Sequence, residues 1–443
     1  MDWWIYLLTG LAIYFSIILF LALRFPEKYL NWDEVDCTKL SFPDSFSWGV
    51  ATASHQIEGN NTNNWTDFEQ RKKLEKSADA CKHWVRWKND FELIEKLGVD
   101  SYRLSIEWSR IEPKKGEWNQ IAVDQYCEMV DDLLSRNIKP MITLHHFSHP
   151  IWFEEIGGFY KRENIQLWVD YCQRIFELLN KKVSDWCTVN EPEVFSIMGY
   201  HMKMFPPGES SVFKTVRVMK NMIFAHVSAY QTLKKINPDV RIGLAKNVTL
   251  FDPLRRWNML HWVTTLILNY IWNGAIISGL KKGRMFGSKI DNAKNSFDFI
   301  GLNYYTHVLT SPFLPQTTEI DLPKRDHEVM TDFGYTMYAE GLERAVKLVS
   351  KLNVPIEITE NGVADSDDKL RPIHLKRHIW KISKLIEQGH DIRSYYHWSL
   401  MDNFEWAEGY KLRFGLYHVD YKTQERTLKQ SGIDYQKIIQ SNR

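Results

Sequence analysis

Two glutamates stand in short motifs that can support acid–base and covalent chemistry: Glu191 in Thr188-Val189-Asn190-Glu191-Pro192, and Glu360 in Ile358-Thr359-Glu360-Asn361-Gly362. Each follows an apolar, β-rich run, where a strand is expected to finish. Two carboxyls delivered from strand ends can split a glycosidic bond with retention of configuration. One protonates the leaving oxygen while the other attacks the anomeric carbon, across a separation of ~5–5.5 Å. A single carboxylate at a strand end is more often a helix cap or an ion-pair partner. The pair therefore has weight only if the fold makes them converge.

From Phe46 to the C-terminus, apolar β-rich runs alternate with longer amphipathic stretches. Eight runs are predicted as strands, at 46–54, 100–106, 138–145, 185–189, 240–248, 298–304, 355–359 and 392–400. Between them Trp84, Trp87, Phe91, Ile94 and Leu97 recur every three or four residues, as a helix packing one face on a sheet requires. Further helices are predicted at 122–136, 163–179, 213–236, 339–352 and 373–388. Polar or aromatic groups fall where strands end: Gln56, Arg103, His146, Asn190 with Glu191, Asn303 with Tyr305, Glu360 and Trp398. This distribution predicts an α/β fold, a (β/α)8 TIM barrel building one site from its C-terminal strand ends. A doubly wound sheet would gather such groups at one switch point, and no glycine-rich phosphate fingerprint follows any strand.

The 443 residues carry 56 Lys and Arg against 55 Asp and Glu, so no global field steers a polyanion, and nucleic acid is excluded as an expected partner. The five cysteines, Cys37, Cys81, Cys127, Cys172 and Cys187, are scattered and lack a C-x-x-C pair, which points to free thiols. His145, His146 and His149 look like a metal cluster, but consecutive strand residues point to opposite faces, so no metal is expected, and no cofactor. The N-terminus differs in kind. Residues 3–23 are uncharged and apolar, long enough as a helix to cross ~30 Å of hydrocarbon. Only Asp2 precedes them, while Arg24 and Lys28 follow, unlike a cleavable signal peptide. The expected organisation is a transmembrane helix at 3–23, a polar linker at 24–45 and the barrel at 46–443. The positive-inside rule puts the barrel on the cytoplasmic side of a single-pass membrane protein. Asn-x-Thr sequences at Asn60, Asn64 and Asn247 favour the opposite side, although a chain rich in Asn yields a few by chance.

The residues around both glutamates resemble glycoside hydrolase family 1, the β-glucosidase and β-galactosidase family, over nearly all of 42–430. The resemblance rests on Phe46-Ser47-Trp48-Gly49, Gln56-Ile57-Glu58-Gly59, Tyr102-Arg103-Leu104-Ser105-Ile106, Trp108-Ser109-Arg110 and Leu144-His145-His146-Phe147. It continues through Asn190-Glu191-Pro192, Asn303-Tyr304-Tyr305, Thr359-Glu360-Asn361-Gly362, the run from His397 to Trp406, and Arg413-Phe414-Gly415-Leu416. It implies Glu191 as acid/base and Glu360 as nucleophile. Arg103 and Tyr305 are expected to flank Glu360 and lower its pKa, whereas Glu191 is expected to be raised by burial and by the charge of Glu360. The resemblance further assigns the sugar 2-hydroxyl to Asn190 and the terminal sugar's other hydroxyls to Gln56, His146 and Glu405. Trp398 and Trp406 become the wall of an exo-acting pocket, and Asn303 and Phe414 join the substrate-binding set. Phe147 departs from the Trp of many relatives. Retention of Glu405 disfavours a 6-phosphoglycosidase.

The expected substrate is a terminal β-glycoside, with glucose and galactose left open. Two alternatives are a membrane-bound transglycosylase acting on glycolipids and a non-catalytic family-1-like receptor, the latter opposed by the presence of both glutamates. A second apolar segment, 257–280, is richer in apolar residues than one barrel-facing stripe needs. If it lies near the barrel mouth, the substrate is expected to be the glycosyl headgroup of a lipid.

Overall fold

The computed structural model describes residues 3–313 and 322–443. Eight parallel strands close into a barrel: β1 (Ser47–Ala51), β2 (Ser101–Ser105), β3 (Lys139–His145), β4 (Asp185–Asn190), β5 (Arg241–Asn247), β6 (Phe299–Asn303), β7 (Ile356–Asn361) and β8 (Ile392–Trp398). The ring closes where β8 pairs with β1, from Ser47 against Ser394 to Ala51 against Trp398. Helices sheathe the outer face, so both sides of each strand are buried and the strands read as near-continuous apolar runs. Helices His83–Leu97, Gln120–Ser135, Ile165–Leu179, Val212–Ile236, Gly341–Val349 and Arg371–Glu387 lie where the sequence spacing predicts them. In the first, Trp87, Phe91, Ile94 and Leu97 are buried, and Gly98 ends the helix with φ 78°, a conformation that suits glycine.

Two differences from the predicted strands bear on the site. The first strand stops at Ala51, so Gln56 lies on a short helix, Ser54–Ile57, and β7 runs on through Glu360 to Asn361. Leu250–Pro253, beyond the end of β5, pairs with His307–Thr310, beyond the end of β6. Four-residue strands of this kind have no periodicity to read.

Trp3–Arg24 is a single helix of 22 residues with only Ile18 buried. Residues 25–45, expected as a linker, instead form a strap fixed along the barrel. Tyr338 donates its hydroxyl to the Lys28 carbonyl (2.9 Å), and the Leu30 amide and the Trp32 indole both donate to Glu340 (3.0 and 2.8 Å). The Ser41 amide donates to Ser383 (2.8 Å). Glu27 accepts from Arg256 and Arg325, and Tyr29 donates to Glu328 (3.2 Å). The polar composition that suggested a linker is consumed by pairing with distant residues. Behind the strap, buried His307 bonds Asp252 through Nδ1 (3.0 Å) and Glu328 through Nε2 (2.5 Å). Glu27, Asp252 and His307 are close enough to share a metal, but Arg256, Arg325 and Arg344 already neutralise the carboxylates.

Candidate active site

Strands β2, β3, β4, β6 and β7 send polar side chains into one bonded set at the C-terminal end of the barrel. Arg103 on β2 is 1 % exposed and donates from Nε to Thr143 (3.1 Å), from Nη1 to Glu360, and from Nη2 to the Asn190 Oδ1 (2.7 Å). Tyr305 donates its hydroxyl to the other oxygen of Glu360 (2.8 Å). Asn303 donates from Nδ2 to Glu191 Oε1 (2.7 Å) and to Asn190 Oδ1 (3.2 Å), which ties Glu191 to the set that holds Glu360. In a regular strand only one of two consecutive residues would face the centre. Here Thr359 and Glu360 both do, as do Asn190 and Glu191. The pairing register slips at each place, between Cys187 and Asn190 on β4 and between Glu357 and Glu360 on β7. Such irregularities re-aim side chains. Glu191 itself sits at φ 43°, an unfavourable conformation for a residue with a Cβ, immediately before Pro192 opens the helix Pro192–Tyr200.

The two carboxyls have opposite surroundings. Burial, then the charge of Glu360, push Glu191 up to about 8 against the donated bonds of Asn303 and Asn247. Glu360 faces a guanidinium and a phenol. Those partners pull its pKa down as expected, but burial is the larger effect and the net direction is upward, not downward. The amide orientations are fixed by groups that can only donate, or that donate there. Arg103 sets Asn190, and Thr359 donates to the Asn303 Oδ1 (2.6 Å), which turns the Asn303 Nδ2 toward Glu191.

A sequence model of glycosyl hydrolase family 1 matches residues 38–443. The chain belongs to that family. It is 35% identical to the β-glucosidase A of Thermotoga maritima, covering 90% of this chain and 98% of that protein. It is 34% identical to a 1,4-β-D-glucan glucohydrolase of Thermotoga neapolitana, with the same coverage. Among solved structures it resembles the Thermotoga maritima β-glucosidase in complex with glucoimidazole, at a TM-score of 0.85 and 33% identity over 91% of this chain and 99% of that one. A β-glycosidase from Pyrococcus horikoshii matches at 0.82 and 37%, over 91% and 95%. This family-1 chain is thus a glycoside hydrolase of the retaining β-glycosidase type. The matched region begins inside the strap, and the Trp3–Arg24 helix lies outside it.

Gln56, His146, Trp398, Glu405, Trp406 and Phe414 lie at the same end of the barrel as Glu360. Gln56 donates from Nε2 to Glu405 (3.1 Å) and to the Phe404 carbonyl (2.8 Å), while its buried Oε1 has no partner among the described residues. Burial pushes Glu405 up to about 8, with Gln56 pulling the other way. His146 accepts at Nε2 from Asn190 (3.1 Å), and burial holds its ring neutral, so its proton is on Nδ1, also without a partner. Gln56 Oε1 and His146 Nδ1 are thus a buried acceptor and a buried donor without a partner among the described residues. The His146 ring stacks between Trp398 (5.7 Å) and Trp406 (6.0 Å). Phe147 packs on Trp406 and Phe205, and Phe414 meets the Tyr305 ring edge-on at 6.3 Å. His145 and His149 bond each other (3.2 Å), with Glu154 on His149.

The sequence pattern names a site residue on every barrel strand except the fifth, and the structure supplies one. Asn247, the last residue of β5, donates from Nδ2 to Glu191 Oε1 (3.1 Å). Its Oδ1 accepts from the Trp272 indole (3.1 Å) and from Thr249 (2.9 Å), which fixes the amide. Beside it Lys246 and Glu193 form a fully buried ion pair (2.9 Å), whose carboxylate adds to the upward push on Glu191. The only sequence signal at Asn247 was a glycosylation sequon. Asn247 and Asn64 are both buried and bonded, so of the three sequons only Asn60 presents an exposed asparagine.

Proposed function

We propose that this chain is a membrane-tethered, exo-acting β-glycosidase of glucosidase or galactosidase type that removes the terminal sugar from a lipid-borne glycoside. Glu191 acts as acid/base and Glu360 as nucleophile. The observation that carries the assignment is the pair of opposed environments: a guanidinium and a phenol on Glu360, and the neutral amides of Asn303 and Asn247 on a Glu191 carboxyl pushed up to about 8.

Near neutral pH, Glu191 enters the first step protonated. Its Oε1 already accepts two amide bonds, so the proton resides on Oε2. Glu360 attacks the anomeric carbon as the glycosidic C–O bond breaks, and the Glu191 proton passes to the leaving oxygen. The resulting ester removes the charge of Glu360, and with it the second cause of the raised Glu191 pKa. Glu191, now ionised, accepts a proton from water as water displaces the sugar from Glu360, which restores both groups. Asn190, held by Arg103, is placed for the sugar 2-hydroxyl. Gln56, His146, Glu405 and the two tryptophans close the pocket beyond the terminal ring and give exo action, since any mismatched hydroxyl leaves a buried partner unpaired.

A glucoside substrate is supported by the relatives, a β-glucosidase A and a 1,4-β-D-glucan glucohydrolase, and a lipid-borne one by the exposed apolar Trp3–Arg24 helix. At 1.5 Å per residue it is about 33 Å long, enough to span the hydrocarbon core. Arg24 and Lys28 beyond it favour a cytoplasmic barrel. Because the strap is part of the folded barrel, the test is removal of residues 1–24 only. Turnover of a glycolipid in vesicles should fall severalfold while turnover of a soluble aryl β-glucoside holds; equal effects on both would refute the lipid substrate and leave the glycosidase assignment standing.

A further inference from the structure

We propose that Trp257–Tyr270 is a second bilayer-contacting element, seated in lipid beside the Trp3–Arg24 helix, so that the barrel mouth faces the membrane. The proposal rests on the tethered reading above.

The segment follows the C-terminal end of β5 and so emerges at the mouth. No Asp, Glu, Lys or Arg occurs from Trp257 to Leu280, while Arg255 and Arg256 precede this stretch and Lys281 and Lys282 follow it. Within it, the helix Met259–Asn269 is built inside out. Its outward residues are Leu260, Val263, Leu266 and Ile267, continued by Tyr270, with Leu260 55 % and Ile267 52 % exposed. Its inward side carries, beside the buried Trp262, polar groups that are each bonded. Thr265 pairs with Thr310 (2.7 Å), Asn269 donates to the Phe251 carbonyl (2.8 Å), and His261 accepts from the Arg255 amide (3.1 Å). In water a barrel helix has the reverse arrangement, and a contiguous exposed apolar face marks an interaction surface.

The ordinary arrangement returns after one interruption. Tyr270–Gly274 is a single π turn, which adds a residue to the repeat and rotates the following face by about 100°. Beyond it Ala275, Ile276, Ile277 and Leu280 are buried against the barrel and Lys281 and Lys282 are exposed. The inversion is thus confined to the part at the mouth.

Contacts with the N-terminal helix identify lipid as the occupant. The Tyr14 hydroxyl donates to the Trp257 carbonyl (2.6 Å) and accepts from the Met259 amide (3.3 Å). Arg256 donates to the carbonyls of Ala22 (3.1 Å) and Phe25 (3.0 Å). Backbone groups at the start of the second helix are therefore satisfied by the first, as hydrocarbon demands of any chain that enters it. Arg255, lying over the Trp257 ring at 5.8 Å, is placed to meet lipid phosphate.

The test uses the full chain with Cys37 and Cys127 replaced by Ser and a nitroxide attached at Leu260→Cys, at Ile267→Cys, or at Ile121→Cys, an exposed control. In vesicles of phosphatidylcholine and phosphatidylglycerol, the ratio of oxygen to nickel-chelate collision should be about tenfold higher at 260 and 267 than at 121, because oxygen concentrates in hydrocarbon and the chelate is excluded. Parental turnover of a soluble aryl glycoside shows that each labelled protein is folded. A nickel-accessible label at 260 and 267 would mean water covers the face, and low collision with both probes would mean a second copy does; either overturns the proposal. Since no lipid turnover is read, the outcome is independent of the glycolipid substrate.

Discussion

Glu360 accepts from Arg103 and Tyr305, whereas Glu191 accepts, among the described residues, from the amides of Asn303 and Asn247, and each contact makes a separable prediction. Replacing Glu360 by Gly should lower turnover by about four orders of magnitude or more, and azide should restore it with inverted configuration, because the anion attacks from the face the carboxylate has left. Normal turnover in this variant would rule the nucleophile out. Replacing Glu191 by Gly should spare the first step with dinitrophenyl glycosides, which need no proton, and cost about 10²–10⁴-fold with poor leaving groups. Activity should follow a bell in pH, with its alkaline limb near 8, where Glu191 loses its proton. Asn247 donates to the ionised form of that carboxyl, so Asn247→Ala should move the alkaline limb upward by about one pH unit. The variant should also lose activity mainly toward poor leaving groups; equal losses for all leaving groups with an unmoved limb would reduce Asn247 to a packing role. On Glu360, Tyr305→Phe removes a donor to the carboxylate and should shift the acid limb to higher pH.

At the scale of elements, the strap and the two mouth-side strands are joined through His307. Burial opposes its charge, but Asp252 and Glu328 on either side outweigh that and raise its pKa to about 9. The neighbouring charges are Glu27, Arg325 and Arg344, with Arg344 paired to Asp252. A raised pKa means that the folded state binds the proton more tightly. Its stabilisation is therefore complete below the ordinary histidine value of 6.5 and is lost as pH rises through about 9. Replacing His307 by Phe leaves Glu328 without its buried cation and should destabilise the fold by about 3 kcal/mol. Urea denaturation across that pH window checks this: the parental protein should lose stability there while the variant changes little, and parallel curves would show that His307 is not charged in the fold.

Over the whole molecule, what the sequence determined is what local pattern encodes. Eight apolar runs with helices between them specified the barrel, since strand and helix periods are properties of neighbours in the chain. The motifs around Glu191 and Glu360, with Gln56, Arg103, His146, Asn190, Asn303, Tyr305 and Trp398 at strand ends, named the residues that the barrel then gathers. The tertiary structure decided whatever depends on partners far away in the chain. Asn247 looked like a glycosylation sequon until β5 brought it against Glu191, and the 25–45 segment looked like a linker until Glu340 and Ser383 bonded it. The charge on Glu360 followed the same rule: Arg103 and Tyr305 were legible as partners, but the burial that outweighs them exists only when eight strands close around the pair. Composition likewise marked Trp257–Leu280 as apolar, yet only the packed barrel could say which face of that helix turns outward, because facing is a relation between elements and not a property of either one.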